Sequence, residues 1–257
     1  MKKLFTCLFS MTIVFTSSAQ LVVQGADNTT MNSFTKSDEM RKALNSSNSR
    51  QATGFDNRYE GMQGTPFLFD DWLVGTLTLN DSAVVRDKMT YKFELINNTI
   101  WLKLGTGEER ILYNRELLAI ELTAKDGTKY VIKKVKLPDI TDKNHFSIVL
   151  YESDNLTLVK DAKKIFRKAN LEDKGIVTVG KAYDWFEDVV KYYVKTGNKS
   201  YFQEINLKKS NLISLAPKSH EKMIEQYCKA NDIRGKLTDA EAVKLVKYIS
   251  EFISVLF

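Results

Sequence analysis

Cysteine, histidine and proline are scarce in this chain: two, two and three residues of 257. Cys7 lies in an N-terminal apolar run and Cys228 stands far from it, so the body of the protein has no cysteine pair to bridge. Small secreted domains that are short of core often lean on disulfides; this one has to be held by burial. The two histidines, His145 and His220, form no His-x-His or His-x-x-x-His spacing, and no Cys-x-x-Cys is present to hold zinc. A Gly-x-Ser-x-Gly elbow, a Gly-x-Gly-x-x-Gly turn and a phosphate loop are missing as well. Cofactor and metal binding are therefore not expected. No apolar run after the first fifteen residues is long enough to span a bilayer, which takes roughly 20 residues. The formal charge is only +6, two of it from Lys2 and Lys3, and lysines alternate with acids along the chain. A nucleic-acid binder concentrates its basic residues on one face, so nucleic acid is not an expected partner.

What is there begins with an address. Met1-Lys2-Lys3 leads into the apolar run from Leu4 to Phe15 and then Thr16-Ser17-Ser18-Ala19, the pattern of a secretory signal cut after a small residue. Cleavage is expected after Ala19, giving an exported, periplasmic or extracellular protein. Leu4-Phe5-Thr6 ahead of Cys7 lacks the small residue that accompanies a lipidated cysteine. With 43% hydrophobic and 27% charged residues the chain has a globular composition. Residues 20–63 are rich in Asn, Thr, Ser, Asp and Gln without sustained periodicity, apart from a short apolar patch from Met40 to Leu44, and read as a flexible polar leader.

From Gly64 onward short apolar runs are punctuated by turn pairs. Asn97-Asn98 separates Tyr91–Ile96 from Thr99–Leu104; Asp126-Gly127 separates Ala119–Thr123 from Lys129–Val135. Asp154-Asn155 and Gly197-Asn198 repeat the device before Leu156 and before Tyr201. Asn, Asp and Gly tolerate the positive φ of tight hairpin turns. The fold class expected is mainly β (α+β): an antiparallel hairpin meander over 64–215, as an open sheet or a partly closed barrel. The last stretch, 216–257, changes period. Met223, Ile224, Tyr227 and Cys228 fall at helical spacing, and Thr238-Asp239-Ala240-Glu241 is a capping box ahead of Val243, Leu245, Val246, Ile249, Phe252, Ile253 and Leu256. A C-terminal helical hairpin packed on the sheet follows from that pattern.

Two clusters are candidates for binding. Asp70, Asp71 and Trp72 close the unusual segment Gly64-Thr65-Pro66-Phe67-Leu68-Phe69-Asp70-Asp71-Trp72. Paired carboxylates beside aromatics suit a glycan site, with one acid and one base across the sugar; yet adjacent strand residues point to opposite faces, so a distant acid such as Glu187 would have to complete it. The simpler reading is a turn whose carboxylates accept amide hydrogen bonds. Asp184, Trp185 and Glu187 have the composition of a sugar-stacking platform, or of an amphipathic strand with buried aromatics. Cys228 reads as a packed apolar group rather than a nucleophile.

The organisation resembles a family of uncharacterised exported proteins of Bacteroidota. The resemblance rests on the Gly64–Trp72 segment leading to Gly75-Thr76-Leu77, on Tyr91-Lys92-Phe93, on Val149-Leu150-Tyr151 with Leu156–Lys160, and on the Lys-rich ending from Tyr192-Tyr193 to Lys247-Tyr248. It implies a bacterial envelope location and a β-rich body with a helical end, and no established activity. The function expected from these features is a non-enzymatic binding or structural module, with an envelope protein or glycan as partner. A carrier with an apolar ligand inside a curled sheet, and a glycan hydrolase using Asp70 or Asp71, are the alternatives.

Overall fold

The computed structural model describes residues 62–253, except 83, 86–88, 113, 174–177 and 198. The signal-like segment with Cys7, nearly all of the polar leader, Asn198 and Leu256 lie outside the described residues. Among the described residues, thirteen strands run in the order β1 Leu73–Leu79, β2 Val84–Val85, β3 Thr90–Glu94, β4 Thr99–Lys103, β5 Glu109–Ile111, β6 Leu117–Thr123, β7 Lys129–Lys134, β8 Phe146–Glu152, β9 Leu156–Arg167, β10 Glu172–Asp173, β11 Thr178–Val179, β12 Trp185–Thr196 and β13 Gln203–Glu204. They are followed, among the described residues, by the α-helices α1 Lys209–Ile213, α2 Glu221–Ala230 and α3 Asp239–Ile253.

Eleven strands make one antiparallel sheet in the order β13-β12-β9-β8-β7-β6-β1-β3-β4-β5, with β2 on β1, while β10 and β11 pair separately. The expected mainly β, antiparallel class with helices at the C-terminus is what the chain adopts, and the sheet is open. Turn chemistry explains two of the expected hairpins, whereas Asp154, Asn155 and Gly197 keep negative φ. Asn98 and Gly127 take φ of 54° and 84°, the left-handed values their residue types tolerate. The meander is interrupted where β1 sits between β3 and β6, and again where the separate β10–β11 pair intervenes between the neighbours β9 and β12.

Strand pairing leaves the sheet open, but its first half curls. Phe93 in β3 and Phe146 in β8 are four inter-strand steps apart, roughly 19 Å in a flat sheet; their ring centroids lie 6.5 Å apart. Asn98 fastens this seam from the β3–β4 turn: its Nδ2 donates to the Phe146 carbonyl at 2.9 Å, and the Phe146 N–H donates to its Oδ1 at 2.7 Å. The space inside is filled. Tyr91, Phe93, Ile100, Leu102, Leu117, Ile120, Leu122, Ile132 and Phe146 are almost wholly buried there, so the curled half is a packed core.

A second core forms where the helices lie on β9 and β12. Leu156, Leu158 and Val194 meet Leu212, Ile224, Cys228, Leu245, Val246 and Ile249. Polar bonds fix the docking: the Asp239 carboxylate at the start of α3 accepts from the Tyr192 hydroxyl and the Lys160 ammonium, both at 2.7 Å, and Tyr151 and Ser250 share a hydrogen bond. The capping box forms as its residues dictate, the Thr238 N–H donating to Glu241 Oε2 at 2.8 Å and the Glu241 N–H to Thr238 Oγ1 at 3.3 Å.

Candidate functional site

The other face of β8, β9 and β12 is covered by neither core. Lying across it is the β7–β8 connection, 135–145, an eleven-residue strap that carries Val135, Leu137 and Ile140. Leu137 is buried against Val159 and Tyr193, with Val149 and Phe202 beside them. Apolar side chains in a connection of that length would be costly in water, and here they roof a sheet face instead. Two polar anchors hold the strap. In its middle, Asp139 accepts from the Tyr193 hydroxyl at 2.7 Å and from the Lys191 ammonium at 2.8 Å. At its end, His145 Nε2 and Asp161 Oδ1 lie 2.6 Å apart, both side chains buried, with the Lys163 ammonium 3.4 Å from the other Asp161 oxygen.

These anchors set the local electrostatics. The hydrogen bonds from Lys191 and Tyr193 hold the Asp139 carboxyl down at about 2. Lys191 is pushed above its ordinary value by its bonds to Asp139 and Glu204, and Tyr193 by burial and then by its bond to Asp139. At neutral pH the strap is therefore held by an ionised carboxylate, an ammonium and an intact phenol.

Between strap and strands lies a cleft of about 730 Å³, within the roughly 300 to 1,000 Å³ of small-molecule sites. Val135, Leu137, Ile140, Val149, Val159 and Phe202 give it an apolar floor and roof. Lys133, Lys134, Lys136, Lys143 and Lys195 line it against only two acids, Asp142 and Glu152. Two of the lysines are engaged: Lys133 pairs with Glu152, and the Lys134 ammonium donates to the Arg115 carbonyl. Lys136, Lys143 and Lys195 have no carboxylate within ion-pair distance among the described residues.

His145, Ser147 and Asp161 have the residue types of a nucleophilic triad and share one sheet face. Ser147 is nonetheless buried, and its hydroxyl makes no hydrogen bond among the described residues. With no link from Ser147 to His145 and no access, the three act as interior packing and as the strap's anchor. Among the described residues no group of three or more His, Cys, Asp or Glu is placed to hold a metal ion. No helix among them is long and apolar enough to cross a membrane.

The residues singled out from sequence fall elsewhere. Asp70 and Asp71 line an open hollow of about 570 Å³ with Thr65, Phe69, Lys125 and Asp126. The exposed Asp71 is ion-paired to Lys125 at 2.9 Å, which lowers its pKa. Trp72 is half-buried on the outer face, with the Lys92 and Lys103 ammonium groups 5.2 and 5.3 Å from its ring, and burial depresses the Lys92 pKa. At the start of β12, Asp184 Oδ1 accepts from the Ala169 N–H, Lys181 sits 4.3 Å over the Trp185 ring, and Glu187 pairs with Arg167. No hydrogen bond or ion pair among the described residues joins Asp70, Asp71 or Trp72 to Asp184, Trp185 or Glu187, although Gln63, just ahead of the first segment, bridges to Trp185. Cys228 is fully buried, and burial raises its thiol pKa.

The strap cleft escaped the sequence reading because its parts come from 133–143, 149–159 and 195–202, far apart in the chain. One signal was present: Val135, Leu137 and Ile140 recur through a segment with the proline and acids of a loop, and apolar side chains so placed need a cover. No family model matches the chain, and no curated protein or solved structure matches it either.

Proposed function

We propose that this protein is an exported, non-enzymatic binding module whose ligand sits in the cleft beneath the 135–145 strap. One observation carries the reading: an apolar floor rimmed by cations, roofed by a segment that Asp139 and His145 hold in place. Concave sites with mostly apolar walls and a few convergent polar groups are where small ligands bind. Export is part of the proposal and rests on the Met1–Ala19 pattern. A bacterial envelope location rests on the resemblance described above.

Purification from the native host's exported fraction, organic extraction and mass spectrometry provide the test. A co-purifying compound that is lost from a Val149→Trp variant is the expected result. The same compound bound equally by wild type and by a stably folded Val149→Trp variant would move the site elsewhere. Turnover of a glycan or ester by the pure protein would sink the non-enzymatic reading.

A further inference from the structure

We propose that the strap cleft takes an amphipathic anion: an acyl chain or fused-ring body carrying one carboxylate, sulfate or phosphate group. This rests on the binding reading above and names its ligand class. The apolar requirement comes from the lining. Val135, Ile140, Val149 and Phe202 are only partly covered by the protein itself, and water over them is displaced with gain by an apolar body.

The charge requirement comes from the rim. Lys136, Lys143 and Lys195 border the cleft without an acid of their own among the described residues, and Lys195 lies 5.7 Å from the Phe202 ring. An ammonium beside an apolar floor acts on a ligand's charge more strongly than one in open water. A neutral ligand leaves these ammonium groups without a counter-charge, a cationic ligand is repelled by them, and an anion pairs with them through charge-assisted hydrogen bonds. Lysine stems lie along apolar surface while the ammonium stays wet, which sets the anionic head at the mouth and the body on the floor. The anchors at Asp139 and His145 hold the strap before any ligand arrives, so little ordering is charged against binding.

Decanoate, decyl glucoside and decyltrimethylammonium share one tail and differ in head charge. Calorimetry with each, together with methyl NMR of Val149 and Val159, separates ligand class from site. Expected are decanoate binding at least tenfold tighter than the cationic probe, weakening with added salt, and shifts at both valines. The double variant Lys136→Glu/Lys143→Glu should lose at least tenfold for decanoate with its thermal midpoint unchanged, because both residues are exposed on the rim.

Equal affinity for all three probes with the valine shifts retained would overturn the anion class and leave the cleft as a carrier of apolar ligands. Binding only to anionic vesicles, with no response to decanoate, would assign the lysines to a lipid surface and also overturn it. No valine shift with any probe would bring down the site itself.

Discussion

Asp139 ties the strap to the sheet through one carboxylate, so the strap should respond to acid before the core does. Its folded pKa of about 2 lies below the ordinary 3.8. The stabilisation is therefore fully present above pH 3.8 and is lost as pH falls through about 2. The group is largely in water, so the loss is local and small beside the stability of the whole fold. Amide exchange at Leu137 and Ile140 should rise across this window in the wild type. An Asp139→Asn variant, already lacking the charge, should show raised exchange at neutral pH and no acid step. An unchanged profile in the variant would remove Asp139 as the anchor. The raised Lys191 has the opposite sign: its contribution is present below the ordinary 10.5 and is lost as pH rises beyond it. Cys228 gives a negative prediction. A buried thiol held protonated should not react with a maleimide in the native state and should react fully once the chain is unfolded.

At the scale of single elements, β1 and α3 show how much a local sequence decides. Gly75 in the middle of β1 is required by close approach: a Cβ there would stand 2.9 Å from the Glu121 carbonyl oxygen and 3.0 Å from the rings or methyls of Tyr91 and Leu122. Gly75→Ala should cost about 1 to 3 kcal/mol by overpacking, read as a lower denaturant midpoint at unchanged slope. Thr238→Ala removes the cap of α3 and should cost about 1 kcal/mol. Both helices of the C-terminal pair and four of the hairpins were legible, because periodicity and turn residues are local properties. β12 was legible only in its second half: it begins at Trp185, where Asp184-Trp185-Phe186-Glu187-Asp188 mixes acids and aromatics without strict alternation. The short β2, β5, β10 and β11 carry too few residues to show a period, and α1 is a five-residue helix whose first N–H, that of Lys209, donates to the distant Gly235 carbonyl.

For the molecule as a whole, the consequential feature is that one open sheet carries two separate cores, one inside the curl and one under the helices. The curl over Phe93 and Phe146 is sealed by the Asn98 side chain. Asn98→Ala leaves the Phe146 N–H and carbonyl without that partner and puts alanine at φ 54°. A loss of about 1 to 3 kcal/mol is expected, with exchange rising first at the β3–β4 turn and the start of β8. Leu245→Ala should cost about 2 to 5 kcal/mol, since its side chain is fully enclosed between α3 and the sheet. Equal destabilisation of both halves in either variant would show one cooperative unit, and unequal loss would show two.

The sequence by itself determined the class of fold, the hairpin turns, the capped terminal helix and the lack of a disulfide or zinc motif. Each of these depends on residues within a few positions of one another. Tertiary structure alone decided where the sheet curls, that its inside is full, and that a cleft of about 730 Å³ lies on the opposite face under a strap. Those outcomes rest on pairs such as Asn98 with Phe146, Asp139 with Tyr193 and His145 with Asp161. Their partners are set by strand register across the whole sheet, and no local pattern carries that information.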